Sequence, residues 1–386
     1  MAVNRIKQSF ESFIGLYNTK FVTKSLPRTS DSSSLPSDSF SYKCVAQVDV
    51  HNTASEIHAN LESWCNEVRG ASEYSARQKV AKTIKECHDE GKTNLSLVWT
   101  GITTIPDAIW KLHKLERLCL DGLPIKVLPD AIEKLRNLQS LNLARTQITA
   151  LPKVIGELVN LKEIDLSMTP IETLPDTIGK LVNLETLELG SSGMKALPDA
   201  IGNCINLETL DLFGTPIKIL PNIIGNLINL KTLNLYRTEI TILPDTIGGL
   251  VNLVSLYLQQ SRITALPDTI GRLIKLENLR LEQTPITALP DPIWNLVNLK
   301  TLNISSTRIS VLSDAIGNCI NLETLDLGLT PITALPETIG KLTNLKKLDF
   351  EGSRIKTIPD VIQKLPNLED LSTGLPPLPL RYSRPN

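Results

Sequence analysis

The residues able to do chemistry are few and scattered. Four histidines, His51, His58, His88 and His113, stand at no paired metal-ligand spacing, and neither HExxH nor CxxC occurs. The six cysteines, Cys44, Cys65, Cys87, Cys119, Cys204 and Cys319, form no paired framework, so free thiols in a reducing compartment are expected. Cys87 precedes His88, but adjacent residues on a helix do not face each other, so the two make no nucleophile and base. Glycine-rich phosphate loops and a GxSxG elbow are missing. What remains is chemistry for binding. Only 4% of residues are aromatic, yet Phe213, Tyr236 and Tyr257 come from three successive copies of one sequence unit. Arg237 and Arg280 flank them, and Asp165, Glu188 and Asp211 make an acidic strip alongside. Aromatic and arginine side chains bury large areas with few rotors and dominate protein interfaces. These eight are the expected partner-binding residues. No catalytic residue, metal ligand or cofactor is expected.

The elements that position them follow from a repeat. Leu138, Leu161, Leu184 and each 23rd residue onward to Leu345 are leucines; Leu115 extends the series back, and a degenerate first unit starts near Lys92. About twelve units cover residues 92–367. Each opens with LxxLxL, an alternation with the period of a strand buried on one face. Each continues with LPxxIGxLxN, whose apolar spacings of three and four predict a helical turn or two packed on that strand. One such unit cannot bury both of its apolar faces, but stacked copies can. The expectation is an α/β solenoid, a horseshoe with a parallel sheet on its concave side and turns outside. Strands about 4.8 Å apart would make it roughly 55 Å long.

Fixed polar positions have local tasks. Asp follows the proline in most units, for example Asp176, Asp199 and Asp245, and is expected to cap the short helix it begins. Asn ends most units, for example Asn183, Asn206 and Asn229, and suits a tight left-handed turn back into a strand. Thr or Ser at the ninth position, as at Thr146, Thr215 and Ser261, would be buried and would need a backbone partner in the next coil. The LxxLxLxxTxIxxLP pattern resembles the leucine-rich repeat over about 70% of the chain. It departs from the commonest form of that repeat, which carries Asn at position nine.

The two ends differ. Residues 26–43 are rich in Ser and Pro and read as a disordered linker, and residues 1–45 as a secretion or targeting segment. Within it, Ile6, Phe10, Phe13, Ile14, Tyr17 and Phe21 share one helical face beside five basic residues, which also suits a membrane-surface helix. Residues 46–91 read as a helical cap of two helices that hides the apolar edge of the first coil. Its core would be Ile57, Leu61, Trp64, Val68, Val80, Ala81, Ile84 and Cys87. Trp64, VAKTIKEC ending at Cys87, NLSL and ITTIP are similar to the entrance of secreted bacterial leucine-rich-repeat effectors. Those include the invasion-plasmid-antigen ubiquitin ligases and related type III effectors. Such ligases carry a large catalytic domain after the repeats. Here the sequence stops about 19 residues after the last unit, so ligase activity is not expected. Residues 368–386 read as an edge cover through Leu371 and Leu375. Pro376, Pro379 and Arg381 also make a PxxPxR arrangement that SH3 domains can read.

Composition narrows the function. A formal net charge of −1 gives no bulk attraction to nucleic acid. No apolar run reaches the length of a membrane span, and no signal-peptide h-region is visible. The expectation is a monomeric protein-binding effector, secreted into a host cell and docking a protein on its concave face. Two alternatives are an intracellular scaffold, since LPxxIGxLxNL is also similar to Ras-group leucine-rich-repeat proteins, and an enzyme acting through its N-terminal region.

Overall fold

The computed structural model divides the chain into two units, Met1–Val48 and Asp49–Asn386, and describes residues 50–70 and 72–374. The expected secretion segment and the Pro376, Pro379 and Arg381 arrangement lie outside the described residues. Among the described residues, two helices come first, α1 (Val50–Asn66) and α2 (Tyr74–Asp89). Thirteen strands of three residues follow, from β1 (Asn94–Ser96) to β13 (Asp370–Ser372). They form a single parallel sheet in sequence order. Each pairing advances 23 residues, so leucine stacks on leucine, as Leu233 does between Leu210 and Leu256. The sheet continues to Ser372, past the repeat boundary expected at 367, and Leu371 packs on the core from within β13.

Each coil returns through a five-residue 3-10 helix such as Asp245–Gly249. Five residues hold little more than one turn, and helical pieces this short take the tighter form. Leu and Ile from strand and return segment make one continuous core, with the repeat leucines 0% exposed from Leu138 to Leu345.

Three framework expectations change. The residue before each 3-10 turn is proline in almost every coil, and Asp only begins the turn without making a capping hydrogen bond. Proline's fixed φ supplies the extended entry instead, near −68° at Pro244. Ser313, which replaces a proline, does cap, accepting from Ala315 N at 3.2 Å. The terminal Asn residues do not take the left-handed turn. Their side-chain amides donate to a carbonyl one coil back, as Asn206 Nδ2 does to Val182 O at 2.9 Å. The buried threonines bond within their own coil, as Thr215 Oγ1 does to Leu212 O at 2.7 Å.

The left-handed residue stands two places after the last leucine. From Trp99 to Gly352 every 23rd residue has φ near +60°, nine of these twelve being non-glycine. Where the following N–H bonds back to the carbonyl of the last apolar strand residue, as Thr238 N does to Leu235 O, the strand ends in a type II turn. Such a backbone costs a non-glycine residue roughly 1 kcal/mol or more. The cost is offset because its N–H joins the next coil, as Arg237 N does to Gln259 O at 3.0 Å. Glycine is needed where a neighbour lies flat on the ridge. A Cβ at Gly122 would meet the Trp99 ring at 2.5 Å.

At the N-terminal edge, Ile57, Leu61, Trp64, Val80, Ala81, Ile84 and Cys87 are buried as the cap core, while Val68 lies beyond the end of α1 and is half-buried. Arg77, only 3% exposed, fastens the cap. It donates to Trp64 O (2.6 Å), Glu67 (2.9 Å), Glu73 (3.1 Å) and Thr104 Oγ1 (3.0 Å), with its guanidinium 4.6 Å from the Trp64 ring centre.

Candidate protein-binding surface

The outward side chains of the strands and of the turn after them form the concave face. Between the last two leucines of each coil runs a floor column, which includes Asp165 at the end of β4 (Glu163–Asp165) and Asp211 at the end of β6 (Thr209–Asp211). It continues through Asn234 of β7 (Thr232–Asn234), Tyr257 of β8 (Ser255–Tyr257) and Arg280 of β9 (Asn278–Arg280). One residue past the last leucine runs a second column with Phe213, Tyr236, Gln259 and Glu282.

The structure brings the aromatic residues together. The Phe213 and Tyr236 rings lie 5.1 Å apart and tilted by 35°, and the Arg237 guanidinium sits 5.1 Å from the Tyr236 ring centre. Tyr257 stands one coil on, in register between Asn234 and Arg280. All three aromatic side chains are half-buried. Arg237 donates through Nε to Gln260 Oε1, and Arg280 lies 3.7 Å from Glu282.

The floor column proves less free than its variability suggests. Seven of its Asp and Asn side chains accept from the backbone N–H two residues on, among them Asn142 from Ala144, Asp165 from Ser167 and Asp211 from Phe213. Each thereby holds the strand end in place. Burial raises the carboxyls of Asp165 and Asp211 above the usual carboxylate range, against the pull of those bonds. Asp211 also accepts from Asn234 Nδ2 at 3.1 Å. Glu188 ends β5 (Thr186–Glu188), in register between the two aspartates.

One exposed aromatic escapes the sequence reading. Trp99 is 64% exposed, lies on Gly122, and has the Arg145 guanidinium 5.6 Å from its ring centre. Arg145 is in turn held by both oxygens of Asp121. The signal was present: Trp99 lies 23 residues before Gly122. The first unit is too degenerate for that register to be read without knowing that its column is left-handed.

The thiols offer little nucleophilicity. Cys204 and Cys319 are fully buried, and burial pushes both up to about 11. Burial likewise raises Cys87 and Cys119. Among the described residues no group of His, Cys, Asp and Glu is placed to hold a metal ion, and no helix is long and apolar enough to cross a membrane.

Relatives share this architecture. A family model described as a leucine-rich repeat region matches residues 131–215, 199–289 and 287–376. No curated protein matches the sequence at a significant level. Among solved structures, a leucine-rich-repeat protein of Leptospira interrogans is 32% identical, covering 71% of this chain and 77% of its own at a TM-score of 0.60. The plant peptide hormone receptor RGFR1, solved in complex with RGF2, is 31% identical over 73% of this chain at a TM-score of 0.65, and the match spans 47% of that receptor chain. An internalin of Listeria monocytogenes, 22% identical, covers 77% of this chain and 93% of its own at a TM-score of 0.60 and supports the fold alone. With its register, sheet and repeated turns, the chain belongs to the leucine-rich-repeat family.

Proposed function

We propose that the chain is the protein-binding module of a secreted bacterial effector, which docks a host protein on its concave face and catalyses nothing itself. The observation that carries this reading is the half-exposed aromatic group Phe213, Tyr236 and Tyr257, centred on the sheet and flanked by Arg237 and Arg280. The solenoid's framework asks for no aromatic residue there, because other coils fill the places of Phe213 and Tyr236 with Ser167, Gly190, Ser305 and Gly328, and that of Tyr257 with Asn234 and Arg280. The likeness of the entrance around Trp64 and Cys87 to bacterial effectors, and the Leptospira relative, favour a bacterial source; delivery to a host cytoplasm is part of the proposal.

Replacing Tyr236 and Tyr257 together with alanine should weaken partner capture by about 2 kcal/mol or more while leaving the melting temperature nearly unchanged. Unchanged capture by the double variant would remove the aromatic group from the interface. Delivery is tested separately by fusing residues 1–50 to a reporter in a secreting strain. Retention of the reporter inside the bacterium would favour the intracellular scaffold. Purified protein should show no ubiquitin transfer.

A further inference from the structure

The floor column carries charge that its framework task does not need. Asn142, Asn234 and Asn303 accept the N–H two residues on just as Asp165, Asp211, Asp326 and Asp349 do. A neutral amide is therefore enough to hold the strand end. A half-buried carboxylate in its place is the costlier choice. None of the four aspartates has an ion-pair partner within 4 Å among the described residues. The cations that share the face are otherwise engaged, Arg280 near Glu282, Arg237 with Gln260 and Lys347 with Asp370. By contrast, exposed charges at the position just before the strands pair coil to coil, as in Lys231–Glu208 at 2.7 Å and Lys300–Glu277 at 2.9 Å.

A second observation points the same way. Gln259 Oε1 and Glu282 Oε2, neighbours in one column of successive coils, are shielded from solvent and have no hydrogen-bond donor. Unpaired acceptors at such depth are stabilised by a donor brought from outside. Carboxylates thus lie on both sides of the apolar Phe213–Tyr236 pair, Asp165 and Asp211 on one side and Asp326 and Asp349 on the other, past the Arg280–Glu282 pair.

We propose that the concave face takes an extended basic segment of its partner, running across the strands, cationic at both ends and apolar between them. The inference rests on the reading of this face as the binding surface. From Asp165 in β4 to Asp349 in β12 (Lys347–Asp349) is eight strand steps, about 38 Å, which about 11 extended residues would span. The aromatic centre takes the apolar middle, and the two acidic flanks take guanidinium or ammonium groups.

The test uses the full chain and fluorescence anisotropy with labelled peptides. The probe carries three arginines at each end and leucines between them; a control exchanges every arginine for glutamate. The arginine-ended probe should bind saturably, weaken with salt, and lose at least tenfold in affinity to the combined variant Asp165→Asn, Asp211→Asn, Asp326→Asn, Asp349→Asn. Asn already serves in this column, so that variant keeps the bond from the N–H two residues on, while Asp211→Asn gives up the one from Asn234 Nδ2; its melting curve verifies the fold, and Asp326→Asn with Asp349→Asn alone, which leaves that bond in place, should give a partial loss. No saturable binding by the arginine-ended probe, unchanged affinity in the combined variant, or equal binding by the glutamate-ended peptide would overturn the proposal. If both peptides bind equally and Tyr236→Ala with Tyr257→Ala abolishes both, the concave face remains the binding surface and only its basic partner is lost.

Discussion

At Asp211 a framework task and a surplus charge meet in one side chain. The residue is 9% exposed, accepts from Phe213 N and Asn234 Nδ2, and is raised above the usual carboxylate range first by burial and further by the charge of Asp165. Asp165, Glu282 and Asp326 are raised for the same leading reason. A carboxyl that holds its proton more tightly when folded favours folding fully below the unfolded pKa. That contribution declines between the unfolded and the raised folded values and is gone above them. At pH 7 these aspartates therefore cost stability. Asp165→Asn with Asp326→Asn should be more stable than wild type at pH 7 in urea denaturation, and the difference should shrink as pH falls into the carboxylate range. A difference that stays constant down to that range would show that ionisation is not its source.

At the scale of the element, the coil is set by what its neighbour allows. The glycine of LPxxIGxLxN has no role in the amphipathic pattern, but it lies where two 3-10 turns touch. A Cβ on Gly225 would come within 3.0 Å of Thr246 Cβ and closer still to Thr246 O. Where Trp294 takes that place, the turn Asp291–Asn295 packs less closely on the next turn than on the one before it. Gly225→Ala should therefore cost about 1–3 kcal/mol by overpacking, measured by urea denaturation. A neutral result would mean that the turns separate freely.

The same scale separates what the sequence discloses from what it hides. Leucine spacing discloses strand, register and core, because apolar period and burial are properties of a single unit. The bonding of Asn206 to Val182 O, or of Thr215 to its own coil's carbonyl, is hidden, because composition does not name a partner. The sign of φ at Arg237 or Leu329 is hidden more deeply, since neither residue type favours a left-handed backbone. The aromatic group was legible as an excess over framework needs. The duty of Asp165 and Asp211 at the strand end was not, because an exposed acid and a bonded one read alike.

Across the whole array, each coil touches only its neighbours, so stability is close to a sum of coil and interface terms. The ends are then the weak points, and the N-terminal end depends on the cap. Arg77 joins both helices to Thr104 of the first coil. Glu73 accepts from Thr103 N at 2.9 Å; burial pushes its carboxyl up, but the Thr103 and Arg77 bonds outweigh that and hold it below its usual value. A lowered carboxyl favours folding above its unfolded pKa and loses that contribution as pH falls through the folded one. Acid therefore loosens the cap while it relieves the concave aspartates. Arg77→Met leaves the acceptors around it unpaired and should cost about 3 kcal/mol. The loss should stay local. Hydrogen exchange should show the amides of Leu97 and Trp99, which bond β1 to the second coil, losing protection well before Leu235 N at the centre. Because Phe213, Tyr236 and Tyr257 lie five or more coils from that edge, binding on the concave face should survive the substitution. Uniform loss of protection along the array would mean that the coils unfold as one cooperative body, and the cap would then govern the binding face as well.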